Sequence, residues 1–178
     1  MLFRSAEFLA LWAPLFDSVL AAPGGLVLRD YHSPNLLWLP SMPAGKTRVG
    51  IIDFQDAVIG HPAYDLVSLL QDARLDVPAE IETELFEYYV SAVAKREPGF
   101  DAQAFAAAYA VLGAQRNTKI LGIFARLARR DGKPVYLRHI PRIWRYLEHD
   151  LAHPQLATLR SWYDRNFPAS MRARVLDA

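Results

Sequence analysis

Between residues 26 and 52 the chain offers only three short apolar runs, and each one abuts a polar cluster. Leu26 to Leu28 leads into Arg29 and Asp30, Leu36 to Leu39 begins directly after Asn35, and the run from Arg48 to Ile52 ends on Asp53. Apolar runs this brief, bounded by Gly, Pro, Asn and Asp, read as strands, with a turn over Pro40 to Gly45. Three such strands make a small sheet, not an open doubly wound one. Their polar ends can meet on one side.

The rest of the chain is helical in pattern. Phe8, Leu11, Trp12, Leu15, Phe16 and Leu20 recur at helical spacing and predict an amphipathic first helix over about residues 3–21, stopped by Ala22-Pro23-Gly24-Gly25. Pro62 suits a first helical position, and Ala63, Leu66, Val67 and Leu70 form a stripe behind it. Further helices are expected over roughly 78–95, 101–130, 135–152 and 154–166, with breaks at Glu97-Pro98-Gly99, Asp131-Gly132-Lys133-Pro134 and His153-Pro154. The last dozen residues are expected to fray. The fold class is α+β and mostly helical, and 178 residues suit a single folding unit.

Charge and composition narrow the function. The 20 Lys and Arg against 19 Asp and Glu leave a net charge of +1, which draws the chain neither to nucleic acid nor to anionic lipid. The basic cluster Arg126, Arg129, Arg130 and Lys133 reads as the polar end of a long helix. The absence of cysteine excludes disulfides and thiolate metal sites and fits a reducing compartment. Glu7 and Asp17 interrupt the apolar N-terminal stretch, so it makes neither a signal peptide nor a membrane span of about 20 residues. A cytoplasmic protein is expected.

Asp30, Asn35 and Asp53 are the candidate chemistry. Each sits at an end of a strand-like run and offers hard oxygen ligands, the kind of donor that suits Mg²⁺ held together with phosphate. Each also has a plainer reading: an exposed turn aspartate, a turn-capping asparagine, and a strand terminator after what looks like a buried, parallel-type run. His32 and His61 lack partners at metal-ligand spacing, which argues against zinc. Asp56 reads either as a water-mediated metal contact or as a solubilising loop residue. Asp65, at the start of its helix, reads as a scaffold residue bonding backbone amides or a basic partner.

Arg116 falls within an apolar stripe of Phe105, Tyr109, Leu112, Ile120, Ile123 and Leu127, where a buried guanidinium needs an acceptor. It can form a structural ion pair or snorkel to water. Trp144, Tyr146, Trp162 and Tyr163 recur at helical intervals and read as core.

The segment Arg29-Asp30-Tyr31-His32-Ser33-Pro34-Asn35 resembles the catalytic loop of kinase-fold small-molecule phosphotransferases, the aminoglycoside phosphotransferase and choline kinase group. Ile51-Ile52-Asp53-Phe54-Gln55-Asp56-Ala57 is similar to that group's metal-binding segment, and Gly60-His61-Pro62-Ala63-Tyr64-Asp65-Leu66 to the helix start that follows it. The resemblance implies that Asp30 is the catalytic base, that Asn35 and Asp53 hold Mg²⁺, that ATP is the co-substrate, and that Asp65 has a scaffold role. Arg29, His32, Asp56, Asp65 and Arg116 are the further candidates for substrate contact or for support of the site.

The stretch from Leu112 to Leu127, with Arg130-Asp131-Gly132-Lys133-Pro134, is similar to the anomeric kinases for N-acetylmuramate and N-acetylglucosamine of bacterial cell-wall recycling. An amino-sugar substrate is therefore implied. Leu28 stands where the group usually has a loop-supporting histidine.

The group's N-terminal nucleotide lobe, with its phosphate-covering loop and strand lysine, has no counterpart in the chain. The expectation is thus a kinase C-terminal lobe over 1–178, with the catalytic loop at 28–36, the metal-binding segment at 51–57 and a helical acceptor-side region at 62–167. Such a lobe is expected to turn over poorly alone and to self-associate through apolar surface. Two alternatives stand beside it: a non-catalytic binding module, and a kinase for another small alcohol such as an aminoglycoside or choline.

Overall fold

The longest element of the computed structural model is helix α4, Ala102–Arg130, and its start shows how local chemistry sets a boundary. Asp101 precedes it in extended conformation and accepts the amides of Gln103 and Ala104, each at 2.9 Å, filling two of the donors a helix start leaves unpaired. The structure describes residues 5–22, 24–43 and 46–173. Its contacts group the chain into two units, Met1–Ala22 with Asp101–Ala178, and Pro23–Phe100.

The first unit is all helical. Helix α1 (Ser5–Leu20) and α4 pack together with α5 (Ile140–Leu151), α6 (Ala157–Asn166) and the short α7 (Ala169–Ala173). Trp12, Leu15 and Val19 of α1 are buried, whereas Leu20, expected on the apolar stripe, is 78% exposed. Tyr146, Trp162 and Tyr163 lie in the core as expected, and Trp144 is half-buried.

The expected helix over 135–152 is instead a 3₁₀ segment, Pro134–His139, followed by α5, because Pro141 at the first turn resets the helix there. The same applies to 154–166, where the 3₁₀ turn Pro154–Leu156 precedes α6. The expected fraying of the last dozen residues is corrected in part, since α7 covers Ala169–Ala173; residues 174–178 lie outside the described residues. Residues 3–4 of the expected first helix, Pro23 in its stop, and Ala44 and Gly45 in the Pro40 to Gly45 turn also lie outside them.

The second unit carries four strands of three residues each: β1 (Gly25–Val27), β2 (Leu36–Trp38), β3 (Val49–Ile51) and β4 (Val58–Gly60). They form two separate antiparallel pairs and not one three-stranded sheet. β1 pairs with β4 in the register Val27 to Val58, and β2 with β3 in the register Leu36 to Ile51. Strand β4 was not foreseen: Ala57-Val58-Ile59 is a three-residue apolar run with too little pattern to stand out. The buried parallel-type run expected before Asp53 is likewise corrected. It is one arm of an antiparallel pair, with Ile51 40% and Ile52 44% exposed.

Helices α2 (Ala63–Leu70) and α3 (Ala79–Ala94) complete this unit. Ala63, Leu66, Val67 and Leu70, the stripe read from the sequence, are all buried. Among the described residues no helix is long and apolar enough to cross a membrane.

Candidate active site

The β2–β3 register brings the site together. Because Leu36 faces Ile51, the residues just outside the pair, Asn35 and Ile52, continue the ladder with the Ile52 amide donating to the Asn35 carbonyl at 3.1 Å. Asp53 follows immediately, so the Asn35 side chain reaches it: Nδ2 lies 3.4 Å from Asp53 Oδ2. The same Nδ2 donates to the backbone carbonyl of Asp30 at 2.9 Å. One amide group therefore ties together residues 30, 35 and 53.

Asp30 is presented by a tight turn. Its amide donates back to the Leu28 carbonyl at 2.9 Å, closing a three-residue γ-turn around Arg29, whose φ is +69°. A left-handed arginine is strained by Cβ crowding, and such strain persists only where the surroundings impose it. Here Asp65, in the first turn of α2, accepts the Leu28 amide at 2.7 Å and the Arg29 amide at 2.9 Å. The Ser68 hydroxyl donates to the Arg29 carbonyl at 3.3 Å.

Asp53 is the other described non-glycine residue with positive φ, at +60°. Aspartate tolerates that region better than most residues. Gln55 Nε2 donates to its Oδ1 at 2.6 Å.

The other candidates fall out as follows. The His32 amide donates to the Asp30 carbonyl at 3.0 Å. Asp56 is exposed, and its carbonyl accepts the Arg29 guanidinium at 3.5 Å. Burial raises the Asp65 carboxyl above its ordinary range, the two amide bonds pull it back down, and the nearby Asp30 charge adds to the rise. His61 Nδ1 accepts the Ala63 amide at 3.2 Å at the start of α2, and burial lowers its imidazole.

Arg116 belongs to the other unit, where it is buried at 8% exposure within α4. Sequence reasoning passed over Asp72 and Ser68. The sign of Asp72 was an aspartate immediately after an apolar helical stripe, in a stretch otherwise read as core.

The donor set fits a hard divalent cation. Asp53 and Asn35 bring a carboxylate and a side-chain amide, both carrying hard oxygens, next to each other in a solvent-accessible position. Among the described residues no group of three or more His, Cys, Asp or Glu converges. That combination suits Mg²⁺, which takes one or two protein ligands and completes its shell with water and phosphate oxygens, and it does not suit a metal needing a full protein cage.

Asp30, Asn35 and Asp53 thus stand together through one side-chain amide, with positive φ at Arg29 and Asp53 on either side. Residues 2–106 match the family described as "Phosphotransferase enzyme family", and the chain belongs to that family. It is similar to the N-acetylmuramate/N-acetylglucosamine kinase of Caulobacter vibrioides, with 48% identity over 167 residues, 94% of this chain and 45% of that protein. The kinase of the same description from Pseudomonas putida is 41% identical over 148 residues, 82% of this chain and 42% of that protein. For the one from Neisseria meningitidis the figures are 39% over 143 residues, 77% and 41%. The chain spans less than half the length of these curated relatives.

Proposed function

We propose that the chain carries the catalytic and metal-binding half of an ATP- and Mg²⁺-dependent cytoplasmic kinase, a kinase-type C-terminal lobe that phosphorylates a hydroxyl of an amino sugar of the N-acetylmuramate or N-acetylglucosamine type. The observation that carries this reading is the Asn35 side chain lying between the Asp30 carbonyl and the Asp53 carboxylate. The similarity to amino-sugar kinases supports the substrate class.

In this reading the exposed Asp30 carboxylate orients the acceptor hydroxyl and takes its proton. The hydroxyl oxygen bonds to the γ-phosphorus of ATP as the bond from phosphorus to the ADP oxygen breaks, and ADP leaves. Asn35 and Asp53 are the residues that would hold Mg²⁺, which supplies charge neutralisation across the phosphates. Arg29 and Asp65 hold the loop, and with it the position of Asp30. Positioning matters here because phosphoryl transfer draws most of its catalysis from geometry and electrostatics.

The test is transfer of labelled γ-phosphate from ATP with Mg²⁺ to N-acetylmuramate, N-acetylglucosamine, plain hexoses, an aminoglycoside and choline, by this chain and by Asp30→Asn. Weak transfer, in keeping with a lobe that turns over poorly alone, confined to an amino sugar and lost in Asp30→Asn is the expected result. Transfer that survives Asp30→Asn would remove Asp30 from its role, and a preference for choline or an aminoglycoside would overturn the substrate class.

A further inference from the structure

The 3₁₀ turn Ser33–Asn35 that carries Asn35 has a gap at its start. Pro34 has no amide hydrogen, the Asn35 amide is already bonded to the His32 carbonyl at 2.9 Å, and the residue before the turn, His32, gives no side-chain cap. The donor left over is the Ser33 amide. It is taken from 39 residues away by Asp72 Oδ2 at 3.4 Å.

Asp72 lies just past the end of α2 and is 2% exposed. Its other oxygen, Oδ1, accepts the amides of Arg74 at 2.7 Å and Leu75 at 3.3 Å, closing the chain back on itself where the helix stops. Those two bonds fix the carboxylate plane, and a fixed plane aims Oδ2 at Ser33. A carboxylate is expensive to bury, and three backbone donors on one buried group are what make it tolerable.

We propose that Asp72 is a positioning residue for Asn35: by capping the Ser33–Asn35 turn it sets where the Asn35 amide stands beside Asp53. The inference rests on the reading of Asn35 and Asp53 as the metal-binding pair. Asp72 touches neither substrate nor metal and acts through the turn.

A purely local role for Asp72, ending α2 by bonding Arg74 and Leu75, needs only one acceptor oxygen. Asparagine keeps that oxygen and puts an NH₂ where Oδ2 stood, donor facing donor at Ser33. Asp72→Asn therefore separates the two roles.

The experiment is amide hydrogen exchange by NMR on the 178-residue protein, with Mn²⁺ titrated in as the probe and its paramagnetic broadening read at Asn35. In Asp72→Asn the Ser33 amide is expected to exchange about tenfold faster. Arg74 and Leu75 stay protected, and Mn²⁺ binds about tenfold more weakly, the usual range when a residue behind a metal ligand is lost. An unchanged Ser33 exchange rate, or loss confined to Arg74 and Leu75, overturns the cap. Faster Ser33 exchange with wild-type Mn²⁺ affinity overturns the positioning of Asn35.

Asp53→Asn is run alongside. If Mn²⁺ broadening at Asn35 is absent in the wild type or indifferent to Asp53→Asn, the metal-binding reading fails, and Ser33 exchange still decides whether Asp72 caps the turn.

Discussion

Asp65 grips the backbone at Arg29 from 36 residues along the chain, with Oδ1 on the Arg29 amide at 2.9 Å and Oδ2 on the Leu28 amide at 2.7 Å. Both oxygens are used, so the contact depends on a group that accepts on both sides. Asp65→Asn turns one of the two bonds into a donor facing a donor and is expected to cost about 1–3 kcal/mol, read as a lower urea midpoint. Because burial raises this carboxyl above its ordinary 3.8, the folded state holds the proton more tightly than the unfolded chain. The stability linked to this group therefore falls as pH rises from 3.8 through the raised value, and in Asp65→Asn that pH dependence disappears.

Arg29 itself is the strained member of that contact, with φ at +69°. Glycine occupies this region without Cβ crowding, so Arg29→Gly is expected to keep or raise the melting temperature by relieving about 1 kcal/mol. Arg29→Val, with its branched Cβ, is expected to lower it. Equal effects of the two substitutions in a thermal melt would show that the turn carries no strain.

His61 gives a second pH signature. Its Nδ1 accepts the Ala63 amide at 3.2 Å, which requires the neutral ring, and burial lowers its value below the ordinary 6.5. The unfolded chain then takes up the proton before the folded one, so stability is complete above 6.5 and declines as pH falls from there through the lowered value. His61→Asn is expected to flatten the melting temperature over that window.

In the helical unit, Gly113 of α4 faces the buried Asp150 of α5. A Cβ at Gly113 would stand 2.6 Å from both carboxylate oxygens of Asp150, which also accepts Asn117 Nδ2 at 3.0 Å. Gly113→Ala is expected to destabilise by about 2–3 kcal/mol in chemical denaturation, since neither helix can shift without disturbing that bond. A neutral Gly113→Ala would mean that α4 and α5 can part by several tenths of an ångström at no cost.

The opening apolar runs and the helical stripes were legible because they are local. The helical spacing of Ala63, Leu66, Val67 and Leu70 depends on nothing outside its own segment, and these residues are buried where the pattern put them. The extent of α4 was legible for the same reason, since the expected 101–130 with its break at Asp131-Gly132 lies within a residue of Ala102–Arg130. Asp30, Asn35 and Asp53 could be picked out from strand ends and spacing, and the structure ties them together through one amide.

Pairing was not legible. Three-residue strands carry too little pattern to choose a partner, so the two separate antiparallel pairs, including the unforeseen β4, emerged only from tertiary contacts between segments such as Gly25–Val27 and Val58–Gly60. The same holds for what supports the site. By itself the sequence determined most of the helical segments, stripes such as Ala63, Leu66, Val67 and Leu70, and which oxygen-bearing residues lie beside the short apolar runs. Only the tertiary structure decided that Asp65 holds the amides at residues 28 and 29 and that Asp72 caps Ser33, because a carboxylate's choice among distant backbone donors depends on how the chain folds back and not on its sequence neighbours.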